Sequence, residues 1–283
     1  MIRPDAKAGD GTVLERLARG EPVLSLGIRN ARTAEIVRMA KSAGFSVVWV
    51  DLEHSSLSID CATQILAAAA DLAMEAWVRI PERDYAVIGR LLDGGATGII
   101  APHVESAEEA QAVINAVRFP PRGQRSQNAL LPQAKYRRMA AADLMHLADL
   151  ATTVHILIES AEGARNADAI AAVDGVDALH VGMNDLSVDL GHVDRLQDPA
   201  VVDACTRVIV AARGRGKIAA VGGAADPGQF QNFLKAGAAP LIFAAMDSDV
   251  LASGLSQRAS EWGRRMEAWR GDTQIAARPE LSA

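Results

Sequence analysis

The sequence predicts an α/β protein built as a (β/α)8 barrel. Eight short apolar runs recur along the 283 residues, and most are followed by a longer segment with helical spacing. This alternation is typical of parallel strands joined by crossover helices. Several of the runs are apolar throughout, as expected of strands that are buried on both faces. The sequence also contains neither GxGxxG nor GxxxxGK[ST], which disfavours an open doubly wound sheet because that fold usually carries a glycine-rich phosphate-binding turn.

One long interruption separates the fourth and fifth predicted strands. It opens with Phe119-Pro120-Pro121-Arg122-Gly123 and runs to about Leu150. Long irregular segments in compact domains are often functional loops. The eight predicted strands are Pro22 to Leu26, Ser46 to Leu52, Glu75 to Ile80, Gly98 to Val104, Thr153 to Ile158, Ala178 to Met183, Lys217 to Val221 and Pro240 to Ala245.

Apolar residues at helical spacing fill the intervals between strands and extend beyond the last one. We expect an N-terminal helical extension over residues 1–21, the barrel over 22–250, a C-terminal helix over 251–270 and a flexible tail over 271–283. The predicted helices between strands are Ala34 to Ala43, Ile59 to Leu72, Ala107 to Val117, Ala164 to Val173, Pro199 to Arg213 and Pro227 to Ala236.

The composition argues against several classes of partner. The formal net charge is −6 and no run of basic residues is longer than two, so the chain lacks the basic patch of a nucleic-acid-binding protein. Cys61 and Cys205 lie far apart, which disfavours a disulfide framework or a cysteine-built zinc site and fits a reducing cytoplasm. No segment approaches the roughly 18 uninterrupted apolar residues of a membrane-spanning helix. We therefore expect a soluble cytoplasmic protein that acts on a small molecule, without nucleic-acid or membrane partners.

Two acidic residues follow neighbouring predicted strands. Glu159 follows the fifth strand and Asp185 the sixth, and reactive groups of a (β/α)8 barrel lie at the C-terminal ends of its strands. Two carboxylates that face the same mouth either share a proton or hold a hard divalent cation whose shell is completed by water. Mg²⁺, Mn²⁺ or Co²⁺ suits such an oxygen-rich site. The alternative interpretation is a pair of exposed loop acids.

Arg79 and His54 occupy two further strand ends. The guanidinium of Arg79 could form a structural ion pair, or it could bind a carboxylate or stabilise a developing enolate. His54 could be structural, or it could be a general base beside a water molecule held by the metal. Among the other histidines, His103 could line the pocket, whereas we expect His155 and His180 to pack inside the barrel.

The lysines disfavour Schiff-base chemistry. Lys217 is the only lysine on a predicted strand, and it begins that strand, so its amine faces the end of the barrel opposite the reactive groups. A Schiff-base aldolase needs its amine inside the pocket. Carbonyl chemistry in this protein is therefore expected to depend on a metal.

Six short segments carry a resemblance to a known enzyme family. They are Val50-Asp51-Leu52-Glu53-His54-Ser55, Val78-Arg79-Ile80-Pro81, Leu91-Leu92-Asp93-Gly94-Gly95-Ala96, Pro120-Pro121-Arg122-Gly123-Gln124-Arg125, Ile158-Glu159 and Val181-Gly182-Met183-Asn184-Asp185-Leu186-Ser187. In order and spacing they resemble the HpcH/HpaI family of metal-dependent pyruvate aldolases, from about Pro22 to Leu251. Each segment alone is weak evidence, whereas six in the right order are specific.

The resemblance implies a class II aldolase, which cleaves a 4-hydroxy-2-oxo acid reversibly to pyruvate and an aldehyde through a metal-stabilised pyruvate enolate. It implies Glu159 and Asp185 as metal ligands, Arg79 as the group that stabilises the enolate, and His54 as the base. Asp93 matches an acid that raises the basicity of this histidine from a neighbouring subunit. The resemblance also implies trimers or hexamers with active sites at subunit interfaces and a C-terminal helix exchanged between subunits.

The sequence departs from the family pattern at two positions expected to bind substrate. Leu157 stands where the best-known members carry a Gln, and Asn184 stands where Ala is frequent. Backbone amides near Asn184 and Asp185 could hold the carboxylate of pyruvate, as helix starts hold anions. In the loop after the double proline, Arg122, Arg125 and Gln127 could reach an acidic or hydroxylated aldehyde; the alternative interpretation is a solvated loop.

Two other functions are compatible with the same residues. A decarboxylase of the oxaloacetate type would use the same metal-stabilised enolate and would need no external base. A barrel that binds metal and keto acid without turnover would serve as a sensor or a partner subunit. Within the aldolase interpretation, acceptors derived from carbohydrates and dicarboxylic acceptors both stay open, as do sugar-acid and aromatic catabolism.

Overall fold

Eight parallel strands form a nearly closed barrel in the computed structural model, which describes residues 11–224 and 226–272. The hydrogen-bonded order is β7-β6-β5-β4-β3-β2-β1-β8, and the amide of Ala239 donates to the carbonyl of Ala219 across the remaining seam at 2.7 Å. The predicted fold class is therefore confirmed. The strands are β1 (Val23–Ile28), β2 (Val47–Asp51), β3 (Glu75–Arg79), β4 (Gly98–Ala101), β5 (Thr153–Ile158), β6 (Ala178–Gly182), β7 (Ile218–Gly222) and β8 (Leu241–Met246).

Helices connect the strands and flank the barrel. The predicted helix Ala164 to Val173 is in fact two short helices, α7 and α8, which meet at Asn166. The side-chain amide of Asn166 donates to the carbonyl of Glu105 at this break. The helices are α1 (Val13–Ala18), α2 (Glu35–Ser42), α3 (Ile59–Asp71), α4 (Ile88–Asp93), α5 (Ala107–Val117), α6 (Ala141–Leu150), α7 (Ala161–Arg165), α8 (Ala167–Ala171), α9 (Met183–Asp189), α10 (Pro199–Gly214), α11 (Pro227–Ala236) and α12 (Asp247–Asp272).

Local sequence signals set the ends of these helices. The hydroxyl of Ser106 accepts from the amide of Glu109 and so caps the start of α5, while Asp226 and Pro227 start α11 in the same way. Gly237 ends α11 with a left-handed φ of 109°, a conformation that favours glycine.

A glycine makes room for a large side chain in the barrel interior. Trp77 lies against Gly98, where an added Cβ would collide with its ring, so the glycine creates the space that the indole fills. α1 packs Val13 and Leu17 against interior residues such as Val47. Because α1 closes the N-terminal ends of the strands, the C-terminal ends are the open face, as expected for a (β/α)8 enzyme.

α12 is the longest helix and is largely exposed. It begins at Asp247, four residues before the predicted C-terminal helix, and two residues of the predicted tail, 271 and 272, belong to it; residues 273–283 lie outside the described residues, as do residues 1–10 of the predicted N-terminal extension. Within the described chain, no helix combines the length and hydropathy needed to cross a bilayer. Six large apolar side chains of α12 are exposed: Val250, Leu251, Leu255, Trp262, Met266 and Trp269.

Candidate active site

A cavity of about 400 Å³ opens at the C-terminal ends of the strands. Six of the seven predicted site residues line it, and only Asp93 does not. The first polar groups after the strands are directed toward one space because parallel strands present their carboxyl ends at the same face. The six residues are His54, Arg79, Leu157, Glu159, Asn184 and Asp185.

Glu159 is a buried carboxylate without a strong cationic partner. It is 4% exposed, whereas Asp185, the third residue of α9, is exposed. The amide of His103 donates to Oε2 of Glu159 at 3.2 Å. Burial raises the pKa of Glu159 to about 8, and the negative charges of Glu53 and Asp185 act in the same direction against Arg79. The charged form of Glu159 is therefore under-stabilised by the protein alone.

Gly182 provides the space in which the Glu159 carboxylate lies. This glycine ends β6, and a Cβ built on it would lie 2.6 Å from Oε1 and 2.8 Å from Cγ of Glu159. Any other residue would therefore displace the carboxylate. The absence of a side chain at this position lets Glu159 lie close to the backbone that leads to Asp185.

The donor set fits a hard divalent cation of which the protein supplies only part of the coordination. Within the described residues, no three His, Cys, Asp or Glu side chains are grouped as a metal site. A cation here would thus have two carboxylate ligands, Glu159 and Asp185, and would take its remaining oxygen ligands from substrate and water. A cation would also relieve the unfavourable negative charge that raises the pKa of Glu159.

Arg79 is both ion-paired and part of the cavity wall, so the two sequence alternatives for it are compatible. Its Nε and Nη2 donate to the two carboxylate oxygens of Asp51 at 3.0 and 2.7 Å, and Nη1 lies 3.1 Å from Oε2 of Glu53. Burial alone would raise the pKa of Asp51, but the hydrogen bonds from Arg79 and Arg29 lower it to about 2. Both acids therefore fix the guanidinium in its position.

Four further charged or titratable residues surround this site: Arg29, Asp51, Glu53 and His103. Only His103 was expected near the pocket from the sequence; it does not line the cavity but contacts Glu159. Asp51 and Glu53 appear in the family segment, and Arg29 follows β1, so the strand-end rule that found Glu159 could have found them. Nε of Arg29 donates to Asp51 at 2.6 Å. Nε2 of His103 lies 3.2 Å from Glu53, and its Nδ1 lies 3.5 Å from Glu159, so His103 bridges the two glutamates.

His54 lies at the cavity rim. Its side chain is 50% exposed, and Nε2 lies 3.7 Å from Oε2 of Glu53. Asp93 is elsewhere in the same chain, where it accepts hydrogen bonds from Arg125 at 2.8 Å and from Asn128 at 3.3 Å. One chain therefore does not bring Asp93 and His54 together, and the predicted contact with a neighbouring subunit stays a prediction.

The two arginines of the double-proline loop make contacts within their own chain. Arg125 pairs with Asp93 and lies over the ring of Phe119, 4.6 Å from its centroid. Arg122 lies 3.7 Å from the exposed carboxylate of Asp174. Neither arginine lines the cavity, so the expected contact with an aldehyde is not formed by the loop of the same chain.

The deep end of the cavity, which we call the cavity floor, is mostly apolar. Leu157 forms part of it, and its side chain cannot hydrogen-bond a substrate. His155 and His180 are buried as expected, but His180 also lines the cavity. The cavity floor consists of Trp49, Ile100, Leu157, His180 and Phe243.

The barrel and its strand-end carboxylates place the chain among the (β/α)8 enzymes. The family model described as HpcH/HpaI aldolase/citrate lyase matches residues 29–252, which is most of the chain. The chain belongs to this family, as the sequence segments indicated.

Similar proteins agree with this assignment. The chain is 34% identical to the 4-hydroxy-4-methyl-2-oxoglutarate aldolase tasA of Hapsidospora irregularis over 87% of this chain and 93% of that one. It is 32% identical to the 4-hydroxy-2-oxo-heptane-1,7-dioate aldolase of Salmonella arizonae over 88% and 93%. The crystal structure of an HpcH/HpaI aldolase from Desulfitobacterium hafniense has a TM-score of 0.81 at 27% identity and covers 88% of this chain and 95% of that one.

Proposed function

We propose that the protein cleaves a 4-hydroxy-2-oxo acid reversibly to pyruvate and an aldehyde in a metal-dependent aldol reaction. The observation that carries the proposal is the buried Glu159 carboxylate, whose pKa is raised to about 8, in the same cavity as Asp185 and Arg79. Relatives that are named as 4-hydroxy-2-oxo acid aldolases support it.

Glu159 and Asp185 are the residues that would hold the cation, for which we propose Mg²⁺, Mn²⁺ or Co²⁺. When bound, such an ion supplies Lewis-acid stabilisation for negative charge that develops on an oxo acid. The two carboxylates would fix where that stabilisation is available, because Glu159 lies against Gly182 and Asp185 is in the first turn of α9, which directly follows β6.

Arg79 supplies a permanent positive charge beside the same space. Burial acts to lower its pKa, but Asp51, Glu53 and Glu159 raise it above the ordinary value, so the guanidinium stays protonated at any working pH. Because Asp51 and Glu53 hold it in place, Arg79 can stabilise an enolate oxygen without reorganisation during the reaction.

His54 is the proposed base. It would remove a methyl proton from pyruvate in condensation and the 4-hydroxyl proton in cleavage. Its half-exposed ring at the rim of the cavity leaves room for a substrate or a water molecule. We further propose that Asp93 of a neighbouring subunit raises its basicity.

The proposed base can be tested separately from the proposed enolate. His54→Ala should abolish deuterium exchange at the methyl group of pyruvate, because that exchange needs a base. Decarboxylation of oxaloacetate should survive in the same variant, because Arg79 and the metal ligands are intact. Equal loss of both activities would contradict this assignment of His54.

We also propose a trimer or hexamer in which α12 packs against another subunit. Its exposed apolar residues include Leu255 and Trp262, and large exposed apolar surfaces are typical of interfaces. Light scattering on Leu255→Glu should show dissociation relative to the wild type. Arg258→Glu, on the same helix, controls for added negative charge; the same oligomer in wild type and Leu255→Glu would contradict the proposal.

The aldol reaction itself is tested by removing and restoring the metal. Protein treated with chelator should lose cleavage of 4-hydroxy-2-oxo acids, and added Mg²⁺, Mn²⁺ or Co²⁺ should restore it. A panel of aldehydes with pyruvate would identify the acceptor. Equal cleavage rates in metal-free and metal-loaded protein would refute the proposed function.

A further inference from the structure

A chain of buried hydrogen-bonding side chains leads from the cavity floor into the barrel interior. His180 and His155 lie on neighbouring strands and are 1% and 0% exposed. Nε2 of His180 lies 3.1 Å from Nδ1 of His155, and Nε2 of His155 lies 2.7 Å from the hydroxyl oxygen of Thr153. The proposed reaction uses none of these three residues, so it does not explain why polar groups occupy an otherwise apolar interior.

The direction of these hydrogen bonds follows from Thr153. Its hydroxyl donates to the carbonyl of Thr97 at 3.2 Å, so its oxygen accepts the proton on Nε2 of His155. Nδ1 of His155 then accepts from Nε2 of His180. If Thr153 instead donated to Nε2 of His155, its single hydroxyl proton would no longer be available to the carbonyl of Thr97. That arrangement would have one hydrogen bond fewer.

Both imidazoles are neutral, so each ring carries a single proton on one of its two nitrogens. Burial lowers the pKa of His155 well below its ordinary value, and the neighbouring His180 adds to this effect. Burial also lowers the pKa of His180 to about 3. The only ring proton of His180 is therefore on Nε2, and its Nδ1 is a hydrogen-bond acceptor.

This acceptor belongs to a residue that lines the cavity. The hydrogen bond between the two rings uses Nε2 of His180. Nδ1 is therefore the ring nitrogen left to pair with a group in the cavity. Its surroundings are apolar, since Phe243 lies against the ring with centroids 5.5 Å apart and Leu157 pairs with His180 in the sheet.

We propose that Nδ1 of His180 accepts a hydrogen bond from a hydroxyl group of the substrate and so selects hydroxylated substrates over isosteric ones that end in a methyl group. A substrate hydroxyl that enters the cavity floor loses its hydrogen bond to water and donates one to Nδ1 of His180 instead. A methyl group displaces the water and leaves the acceptor unpaired, which costs roughly tenfold to a hundredfold in selectivity. The inference deepens the proposed function and rests on it for the reaction that is measured.

The kinetic test uses two pairs of isosteres. Hydroxypyruvate and 2-oxobutanoate are compared as donors with one aldehyde, and glycolaldehyde and propanal are compared as acceptors with pyruvate. We expect kcat/KM for carbon–carbon bond formation to favour the hydroxylated member of at least one pair by about tenfold or more. His180→Phe should remove this preference while retaining activity on the methyl member. No preference in the wild type, or the same preference in His180→Phe, would overturn the inference.

A second test does not depend on turnover or on a variant at His180. Nitrogen NMR of the wild-type holoenzyme should show a proton on Nε2 of His180 and none on Nδ1, and hydroxypyruvate or glycolaldehyde should shift the Nδ1 resonance more than its methyl isostere does. Thr153→Ser should preserve this tautomer, whereas Thr153→Val should move the proton to Nδ1. A proton on Nδ1 in the wild type, or equal shifts within both pairs, would overturn the inference. Absence of carbon–carbon bond formation with every pair would instead contradict the proposed function.

Discussion

Two buried carboxylates lie at strand ends of the same barrel in opposite electrostatic environments. Asp51, at the end of β2, accepts hydrogen bonds from Arg79 and Arg29, and its pKa is lowered to about 2. Glu159, after β5, is nearly as buried, and no Arg or Lys of the described chain lies within ion-pair distance of it. Its pKa is raised to about 8.

The difference is that Asp51 is paired with arginines of its own chain, whereas the charged form of Glu159 is left without such a partner. Asp51 is neutralised by the chain itself and contributes to the position of Arg79. Glu159 is destabilised in its charged form until a cation arrives, and such groups mark functional sites. Burial alone therefore does not distinguish the two carboxylates; the lack of an Arg or Lys partner is what makes Glu159 the proposed metal ligand.

The largest effect should come from Glu159→Gln, which keeps the shape of the side chain and prevents it from ionising. We expect turnover to fall by about 10³-fold and Mn²⁺ binding to be lost. The stability of metal-free protein near pH 7 should change little, because Glu159 is mostly protonated there. Turnover, Mn²⁺ titration and urea unfolding check these outcomes. Glu162→Gln is a matched control at an exposed glutamate, and normal metal binding in Glu159→Gln would contradict the comparison.

Asp51→Asn should reduce stability and leave metal binding intact, the reverse of the effects expected for Glu159→Gln. It leaves the guanidinium groups of Arg79 and Arg29 without their carboxylate and should reduce the free energy of unfolding by about 3 kcal/mol, measured by urea unfolding. Because the pKa of Asp51 is lowered, its stabilisation is present above about pH 4 and is lost as the pH falls towards 2, so the variant should lack this acid dependence. Asp60→Asn, at an exposed site, should change stability by less than about 0.5 kcal/mol.

In Asp51→Asn, Mn²⁺ should still bind, because Glu159 and Asp185 are unchanged. Loss of metal binding without loss of stability would show that the two carboxylates have exchanged the roles assigned to them.

A smaller effect is expected from Gly182→Ala. The new Cβ would lie 2.6 Å from Oε1 of Glu159, so the carboxylate must move, and we expect the affinity for Mn²⁺ to fall by about tenfold. Gly222→Ala is the matched control, since Gly222 is the register partner of Gly182 and its Cβ would make only ordinary contacts of 3.6 Å. Calorimetry should separate the two variants, and equal affinities would contradict the proposed role of Gly182.

Much of the fold could be predicted from the sequence because the signal is periodic. Most predicted strands start and end within one or two residues of those observed, and the C-terminal ends then located Arg79, Glu159 and Asp185 at one cavity. The break between α7 and α8 was not predicted, because it is accompanied by a hydrogen bond from the side-chain amide of Asn166 to the carbonyl of Glu105, which is distant in sequence.

The hydrogen-bonding partners within the site could not be predicted. Whether Asp51 or Glu159 is paired with an arginine depends on the contacts between side chains of different strands. The spacing of residues in the sequence does not predict these contacts. His180 was interpreted as a packing residue for the same reason, because its partner His155 lies 25 positions away and is brought next to it by the register of β5 and β6.

Calorimetric titration of metal-free protein with Mn²⁺ at pH 7, in two buffers of different ionisation enthalpy, tests most directly whether Glu159 and Asp185 hold a cation. Glu159 with a pKa of about 8 is mostly protonated at this pH, so binding of one Mn²⁺ per chain should release nearly one proton. The affinity should increase about tenfold for each unit by which the pH is raised, up to about pH 8. No binding, or binding that releases no proton and persists in Glu159→Gln, would contradict the account.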